Sequence, residues 1–196
     1  MKAVLISIQP KYCELIALGK KTVEVRKTKP KIDVPFKCYI YCTKGKFEPH
    51  EHLRNNLHYD DSTIKVCEGQ GKVIGEFVCD RITEIKSDAV YSKVFGGFDV
   101  RFNFDIGKAC LTQEQIIEYL GEKTGYAWHI SNLVLYDKPK ELGEFKRDCN
   151  GNCDSCKYAI SKSPMKWYDE PKIVGCKNIS VPQSWCYVWE VEDGKF

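Results

Sequence analysis

The sequence contains no long apolar run. No window approaches the roughly 18 consecutive apolar residues that a membrane-spanning helix needs, and the first apolar run extends only from Ala3 to Ile8. No charged segment followed by an apolar one opens the sequence, so no secretory signal is predicted. Internal repeats and low-complexity segments are also missing. These absences argue against membrane insertion, and we expect a cytoplasmic protein.

A strong overall charge is missing as well. The 196 residues carry a formal net charge of +3, which by itself does not indicate a nucleic-acid partner. The local distribution is more informative, because the segment from Lys2 to Lys46 contains eleven Lys or Arg residues and three acidic ones. We expect a positive field around any cleft that this segment forms. The length fits one domain, with or without an appended lobe.

The first residues predict a strand, a turn and a helix in succession. Val4 to Ile8 is apolar and typical of a strand, Gln9-Pro10 interrupts it, and Tyr12 to Leu18 has helical spacing. Gly19 follows directly, and a glycine at this position commonly ends a helix. The helix is therefore expected to stop at Gly19.

From Thr22 the pattern changes to an alternation of period two, which is typical of a strand. One face is apolar and the other is polar, with Lys21 beside the polar face. The apolar residues are Val23 and Val25, and the polar residues are Thr22, Glu24 and Arg26. The pattern indicates either a polar site built on this strand or a solvated strand edge.

The segment from Ser7 to Lys27, SIQPKYCELIALGKKTVEVRK, resembles the N-terminal motif of the ASCH family, which belongs to the PUA-like superfamily. The motif there is a strand, a Pro-containing turn, a helix and then G-x-K-x-x-E-x-R. It fits without a gap at Gly19, Lys21, Glu24 and Arg26. The resemblance implies an α+β fold, a partly open β-barrel with short peripheral helices. It also implies a cleft beside the first helix that takes RNA, nucleotides or modified bases.

The expected ligand-binding residues lie in two parts of the sequence, and they are Gln9, Lys21, Arg26, Trp128, Ser131 and Asn132. The guanidinium fork of Arg26 suits a phosphate or a base edge, or it pairs with Glu24. Trp128 either stacks on a base or belongs to the core. The leading prediction is a binding protein for RNA, another single-stranded nucleic acid or a modified nucleoside.

A hydrolase of the same fold is the alternative, acting on an acylated nucleoside such as N4-acetylcytidine or on RNA. Some small ASCH proteins are amidohydrolases of acetylated cytidine that use a lysine, a threonine three residues later and a distant glutamate. The resemblance implies Lys21 as the base, but Glu24 occupies the threonine position; Glu76 is the candidate distant acid. A neighbouring cation favours the basic amine of Lys21, whereas Glu24 favours the charged ammonium.

The rest of the chain predicts further strands and helices. The predicted elements are a strand at 36–43, a long strand at 71–85 bent at a Gly75 bulge, a helix capped by Thr112 and Gln115 and stopped by Gly121, a strand at 125–136, a short helix at 140–145 and a strand at 184–191 that closes the barrel.

Four of the eleven cysteines have the spacing of a metal site. They are Cys149, Cys153, Cys156 and Cys176. A C-x2-C pair lets two sulfurs reach one ion, and four thiolates can enclose one tetrahedral zinc. A closed four-sulfur shell leaves no position for substrate, so a structural zinc is expected. The alternatives are unligated thiols, an iron–sulfur cluster on the C-x3-C-x2-C pattern, or Cys186 in place of Cys176.

This cysteine pattern divides the sequence into three parts. Residues 1–146 form the barrel, residues 147–182 form a zinc-knuckle-like insert, and residues 183–196 supply the final strand. A weaker alternative gives the insert a protein or DNA contact surface. The cysteines at 13, 38, 42, 67, 79 and 110 stand singly in apolar contexts, which predicts buried small hydrophobic residues.

Overall fold

The computed structural model describes residues 2–46, 61–92, 97–147 and 180–189. These ranges contain strands, α-helices and two short 3-10 helices. The strands are β1 (Lys2–Ile8), β2 (Val23–Arg26), β3 (Phe36–Cys42), β4 (Val73–Cys79), β5 (Ile82–Ile85), β6 (Ser87–Ser92), β7 (Gly97–Phe102), β8 (Gly125–His129), β9 (Ser131–Lys140) and β10 (Trp185–Trp189). The α-helices are α1 (Pro10–Ala17), α2 (Asp61–Glu68) and α3 (Gln113–Leu120), and the 3-10 helices are Ile106–Ala109 and Leu142–Glu144. None of the helices in these ranges is long and apolar enough to cross a membrane.

The strands form three sheets. The largest has the order β10-β1-β3-β4-β9, the second has the order β2-β8-β5, and β6 pairs with β7. β1 and β3 run parallel, whereas the other pairs are antiparallel. The predicted α+β class is confirmed. The sheets do not close into a barrel within the described ranges, and β10 lies at the edge of the largest sheet beside β1 instead of closing one.

Two predicted long strands are each divided into two, and the halves belong to different sheets. The strand predicted at 71–85 is interrupted at Asp80 and Arg81, between β4 and β5. The strand predicted at 125–136 is interrupted at Ile130, between β8 and β9. Because β4 and β9 pair in one sheet while β5 and β8 pair in the other, these bends connect the two sheets.

The predicted bulge at Gly75 is confirmed. The pairing of β3 with β4 shifts register between Ile40 and Tyr41, where Ile40 faces Gly75 and Tyr41 faces Val73. A Cβ atom on Gly75 would lie 2.4 Å from the carbonyl oxygen of Val134. The glycine is therefore required for the close approach of β9 to β4.

The short helix predicted at 140–145 is confirmed only in part, as a 3-10 helix of three residues. β9 continues through Pro139 to Lys140, and a 3-10 helix at Leu142–Glu144 follows. Proline lacks the backbone donor of a strand, but β9 is an edge strand of its sheet, where that donor is dispensable. Pairing with β4 therefore extended a strand that the local sequence predicted to turn.

Local helix signals were read correctly. Gly19 follows α1 with a φ of +69°, a conformation that glycine adopts without steric cost. At α3, the Thr112 side chain accepts from the Gln115 amide and the Gln115 side chain accepts from the Thr112 amide. This capping box satisfies two donors of the first turn.

The core contains most of the cysteines that the structure describes. Cys13, Cys38, Cys42 and Cys79 are buried, as predicted. Cys67 is exposed, because it lies on the outer side of α2 while Val66 of the same helix is buried. The metal candidates Cys149, Cys153, Cys156 and Cys176, and with them nearly all of the insert at 147–182, lie outside the described residues.

Candidate functional site

The turn after α1 places Lys21 against the end of that helix. The backbone amides of Lys20 and Lys21 both donate to the carbonyl oxygen of Leu15, each at 2.9 Å. Gly19 permits this tight reversal because of its positive φ. The Lys21 side chain is only 2% exposed, so the turn brings a cationic side chain into the interior.

The apolar and the charged side chains of β2 project from opposite faces of the strand. Val23 and Val25 pack in a hydrophobic cluster with Ile116 and Leu120 of α3. Glu24 shares the polar side with Lys21 and Arg26, with which it forms ion pairs. The polar site predicted from the alternation is therefore present, but its charged groups are buried instead of solvated.

Lys21, Glu24 and Arg26 form a connected set of charges, called the buried triad below. The Lys21 Nζ lies 3.2 Å from Glu24 Oε2, and the Arg26 Nη2 lies 2.9 Å from Glu24 Oε1. Lys21 Nζ also donates to the carbonyl oxygen of Ala109 at 2.6 Å. One carboxylate thus bridges two cations, which gives the triad one net positive charge.

Arg26 connects β2 to the largest sheet and to the segment before β10. Its Nη2 donates to the carbonyl oxygen of Ser7 at 2.6 Å, and its Nη1 lies 3.3 Å from the Ser184 Oγ. The Arg26 Nε is buried without a hydrogen-bond partner in the described part of the chain. Arg26 therefore joins β2 to the largest sheet, and it retains one N–H donor that has no partner among the described residues.

The buried triad lies in a cleft of about 860 Å³. Residues from α1, β2, α3 and the segment before β10 line it. The charged, polar and aromatic lining residues include Gln9, Lys11, Tyr12, Lys21, Glu24, Arg26, Lys27, Gln115, Glu118, Tyr119 and Gln183. A volume of this size falls in the range of sites that hold small molecules.

Two tyrosines contribute aromatic surface to the cleft. Tyr12 belongs to α1, and its ring centroid lies 5.0 Å from Lys21 Nζ. Tyr119 belongs to α3, and its ring centroid lies 5.0 Å from Lys27 Nζ. Burial raises the pKa of the Tyr119 phenol, so this ring stays neutral at physiological pH. Both rings offer a π face on which a planar ligand can stack.

The predicted ligand-binding residues separate into two places. Gln9 lines the same cleft as Lys21 and Arg26. Trp128 is fully buried and packs edge-on against Phe36 with ring centroids 5.9 Å apart. Trp128 therefore belongs to the core and presents no face for stacking.

The two polar residues after Trp128 also do not line the cleft. Ser131 Oγ donates to the carbonyl oxygen of Val78 at 2.8 Å, which fixes the start of β9 on β4. Asn132 is exposed with a φ of +47°. The candidate acid Glu76 pairs with Lys37 at 3.0 Å, and it does not line the cleft either.

Sequence reasoning missed several groups of the site. Tyr119 and Ser184 come from parts of the chain that the motif does not cover. The packing of α3 brings Tyr119 to the cleft, and the pairing of β10 brings Ser184 to Arg26. The carbonyl of Ala109, which holds Lys21, carries no side-chain signal at all. Tyr12 lies inside the quoted motif segment, so its place beside Lys21 was open to prediction.

The chemistry available at the triad is recognition by charge and hydrogen bonding. The Lys21 Nζ faces two acceptors, Ala109 O and Glu24 Oε2, and both contacts use protons of an ammonium group. Burial and then the neighbouring Cys42 thiol raise the pKa of the Cys13 thiol well above its usual value, and the nearby charge of Arg26 only partly opposes this. A protonated buried thiol is a poor nucleophile.

Known proteins were compared with the chain as a whole. No protein-family model matches the sequence, and no curated protein sequence matches it. Among solved structures, the chain is similar to the crystal structure of ASCH from Zymomonas mobilis, at 18% identity over 94% of this chain and 86% of that chain, with a TM-score of 0.49. Two mutant structures of that protein have the same 18% identity and TM-scores of 0.49 and 0.48, over 95% and 94% of this chain and 90% and 87% of theirs.

Proposed function

We propose that this protein binds a nucleobase, as a nucleotide, a modified nucleoside or part of an RNA, in the cleft above the buried triad. The observation that carries the proposal is a floor of two cations bridged by one carboxylate, in a cleft that two tyrosines also line. The match of Gly19, Lys21, Glu24 and Arg26 to the ASCH motif agrees with the same function.

The triad offers both kinds of hydrogen-bonding partner that a base edge requires. Glu24 has lone pairs beyond those that its two ion pairs use, and it can accept from an exocyclic amine or a ring N–H. Lys21 has three donors, of which Ala109 and Glu24 take two. Bases carry donors and acceptors side by side on their edges. A donor and an acceptor fixed next to each other therefore fit a base edge better than a simple anion.

The cleft also separates a place for the base from a place for the phosphate. Lys21 and Arg26 already donate to Glu24 and to the carbonyl oxygens of Ala109 and Ser7, so few of their donors remain for a phosphate at the floor. Lys11 and Lys27 are exposed at the same cleft, where a phosphate keeps part of its hydration. We place the base on Tyr12 and Tyr119 and the phosphate near these two lysines.

Alanine at Tyr119 is expected to weaken ligand binding about 5- to 150-fold, because stacking of a base on an aromatic ring contributes about 1–3 kcal/mol. Isothermal titration of purified protein with nucleosides, nucleoside 5′-phosphates, N4-acetylcytidine and short RNAs measures the effect. Ile117→Ala is the matched control, because Ile117 lies on the same helix and is 48% exposed but does not line the cleft.

The two variants together decide the role of the cleft. If both variants bind the best ligand as tightly as the unchanged protein does, stacking on Tyr119 is removed from the proposal. If both variants bind it more weakly by the same factor, the substitutions have a general effect on α3. In the same samples, a mass-spectrometric search for product identifies the hydrolase alternative, since turnover that disappears in Lys21→Ala would make Lys21 a catalytic base.

We also propose a structural zinc in the insert at 147–182, with Cys149, Cys153, Cys156 and Cys176 as its ligands. The support is the C-x2-C spacing within a segment rich in turn-forming residues. Elemental analysis of protein purified without chelator is expected to give one equivalent of zinc. Alanine at Cys153 is expected to lower this value to near zero, whereas alanine at exposed Cys67 leaves it unchanged. Less than about half an equivalent in the unmodified protein would contradict a structural site.

A further inference from the structure

A basic segment leaves the cleft at Lys27. Lys27 lines the cleft, and Lys29 and Lys31 follow at alternate positions. All three side chains are exposed, whereas Pro30 between the last two is buried. We call Lys27, Lys29 and Lys31 the basic track. The segment lies outside the strands and bends at Lys27 and Lys31, and Pro30 favours an extended conformation at Lys29 between the two bends.

Aromatic side chains hold the first two lysines of the basic track. Lys27 Nζ lies 5.0 Å from the ring centroid of Tyr119, and Lys29 Nζ lies 5.3 Å from that of Tyr126. Contacts of this kind contribute about 0.5–1 kcal/mol each at exposed sites. The lysines therefore have restricted positions before any ligand arrives, which lowers the entropy cost of binding.

The backbone of the segment is fixed as well. The Lys31 amide donates to the Tyr187 hydroxyl at 2.6 Å, and the Trp185 Nε1 donates to the Thr28 Oγ1 at 3.0 Å. Trp185 and Tyr187 belong to β10, so an edge strand of the largest sheet supports the segment. A row of exposed cations on a fixed backbone differs from an ordinary solvated loop, in which lysines move freely.

The segment that carries the basic track is itself positive. Lys2 Nζ lies 4.0 Å from the centroid of the Tyr187 ring, whose hydroxyl accepts from the Lys31 amide. Between residues 25 and 32 the sequence contains four Lys or Arg residues and no acid. The positive charge of this segment favours an anionic ligand, and several separate cations suit one that carries more than one negative charge.

We propose that the ligand in the cleft is one nucleotide of a single-stranded nucleic acid whose adjoining phosphates bind the basic track. This inference rests on the proposed function, because the base in the cleft fixes where the strand begins. Single-stranded nucleic acid carries one negative charge per nucleotide, and proteins commonly bind it with positive grooves that follow the backbone beside aromatic side chains. A free nucleoside would leave the basic track unused.

The test compares Lys29→Ala/Lys31→Ala with a matched control. Lys138→Ala/Lys140→Ala is that control, because both lysines are exposed on β9, at the opposite edge of the largest sheet from β10. Lys140, like Lys29, lies over an aromatic ring, since its Nζ is 4.8 Å from the ring centroid of Tyr136. The probe is a fluorescent single-stranded oligoribonucleotide of random sequence, with the full-length chain, at several salt concentrations.

We expect Lys29→Ala/Lys31→Ala to bind the oligoribonucleotide about tenfold more weakly. The slope of log affinity against log salt should become shallower by about 1.4, because each phosphate contact in a single strand contributes about 0.7. The control should keep both values. A nucleoside or N4-acetylcytidine that binds in the cleft should bind this variant as it binds the unchanged protein, since neither lysine lines the cleft.

The outcomes separate the two proposals. An oligoribonucleotide that binds equally to Lys29→Ala/Lys31→Ala and to the control, but more weakly to Tyr119→Ala, would overturn the basic track and keep the cleft. If Lys29→Ala/Lys31→Ala and the control lose the same affinity for the oligoribonucleotide, the basic track is also overturned. The loss would then reflect the lower net charge of the protein and not a contact at the track. If the unchanged protein binds nucleosides but not the oligoribonucleotide, the cleft takes free nucleosides, and the proposal of a single-stranded nucleic acid is overturned.

Discussion

Replacement of Glu24 by alanine is expected to lower the free energy of unfolding by about 3–5 kcal/mol, the usual cost of removing one partner from a buried ion pair. The size follows from what the carboxylate does for its neighbours. Lys21 and Arg26 are 2% and 7% exposed, and Glu24 contacts both. Without Glu24, two cations remain close together in the interior and Arg26 loses its carboxylate.

Urea unfolding followed by tryptophan fluorescence measures this loss. Glu84→Ala is the control, because Glu84 is an exposed glutamate on β5, and exposed substitutions usually change stability by less than about 0.5 kcal/mol. Adding Lys21→Met to Glu24→Ala should recover part of the loss, since one of the two uncompensated cations is then gone. A Glu24→Ala protein as stable as Glu84→Ala would contradict the stabilising role of the Glu24 carboxylate between Lys21 and Arg26.

Replacement of Trp128 by alanine is expected to lower stability by about 3–5 kcal/mol, as large-to-small changes of buried aromatic residues do. Trp128 is fully buried among Phe36, Trp185 and the main hydrophobic cluster. It also lies opposite Glu24 in the pairing of β2 with β8. Because paired residues of an antiparallel ladder project from the same face of the sheet, the vacated space would lie beside the Glu24 side chain.

Phenylalanine at the same position separates a core role from a ligand contact. The Trp128 Nε1 has no hydrogen-bond partner among the described residues, so Trp128→Phe loses no bond that the structure shows. We expect Trp128→Phe to be destabilised less than Trp128→Ala and to bind the cleft ligand within about twofold of the unchanged protein. A large loss of affinity in a stable Trp128→Phe protein would return Trp128 to the stacking role that the sequence allowed.

Short-range signals were sufficient for the helices and for the strand that carries the site. The glycine after α1 and the Thr112–Gln115 capping box involve residues no more than three positions apart. The alternation from Thr22 to Arg26 placed Glu24 and Arg26 on one face, and the structure joins them at 2.9 Å. These features depend on chain stereochemistry that a sequence shows directly.

The features that the sequence did not predict depend on contacts between residues far apart in the chain. β9 continues through Pro139 because β4 lies beside it, and the contact of Arg26 with Ser184 joins residues 158 positions apart. Trp128 had the same sequence pattern whether its strand faced a cleft or the core. Only the packing of Phe36 and Trp185 around its ring places it in the core.

The pairing of β10 with β1 also determines when, during its synthesis, the protein can first bind a ligand in the cleft. β1, α1 and β2 are translated before the other elements of this sequence. Gln183 of the cleft and Ser184, which contacts Arg26, come from residues just before β10. Until that strand has been translated, the edge of β1 is unpaired and available to other strands. A nascent chain is therefore expected to bind no ligand tightly, so recognition begins only after nearly all of this sequence has been made.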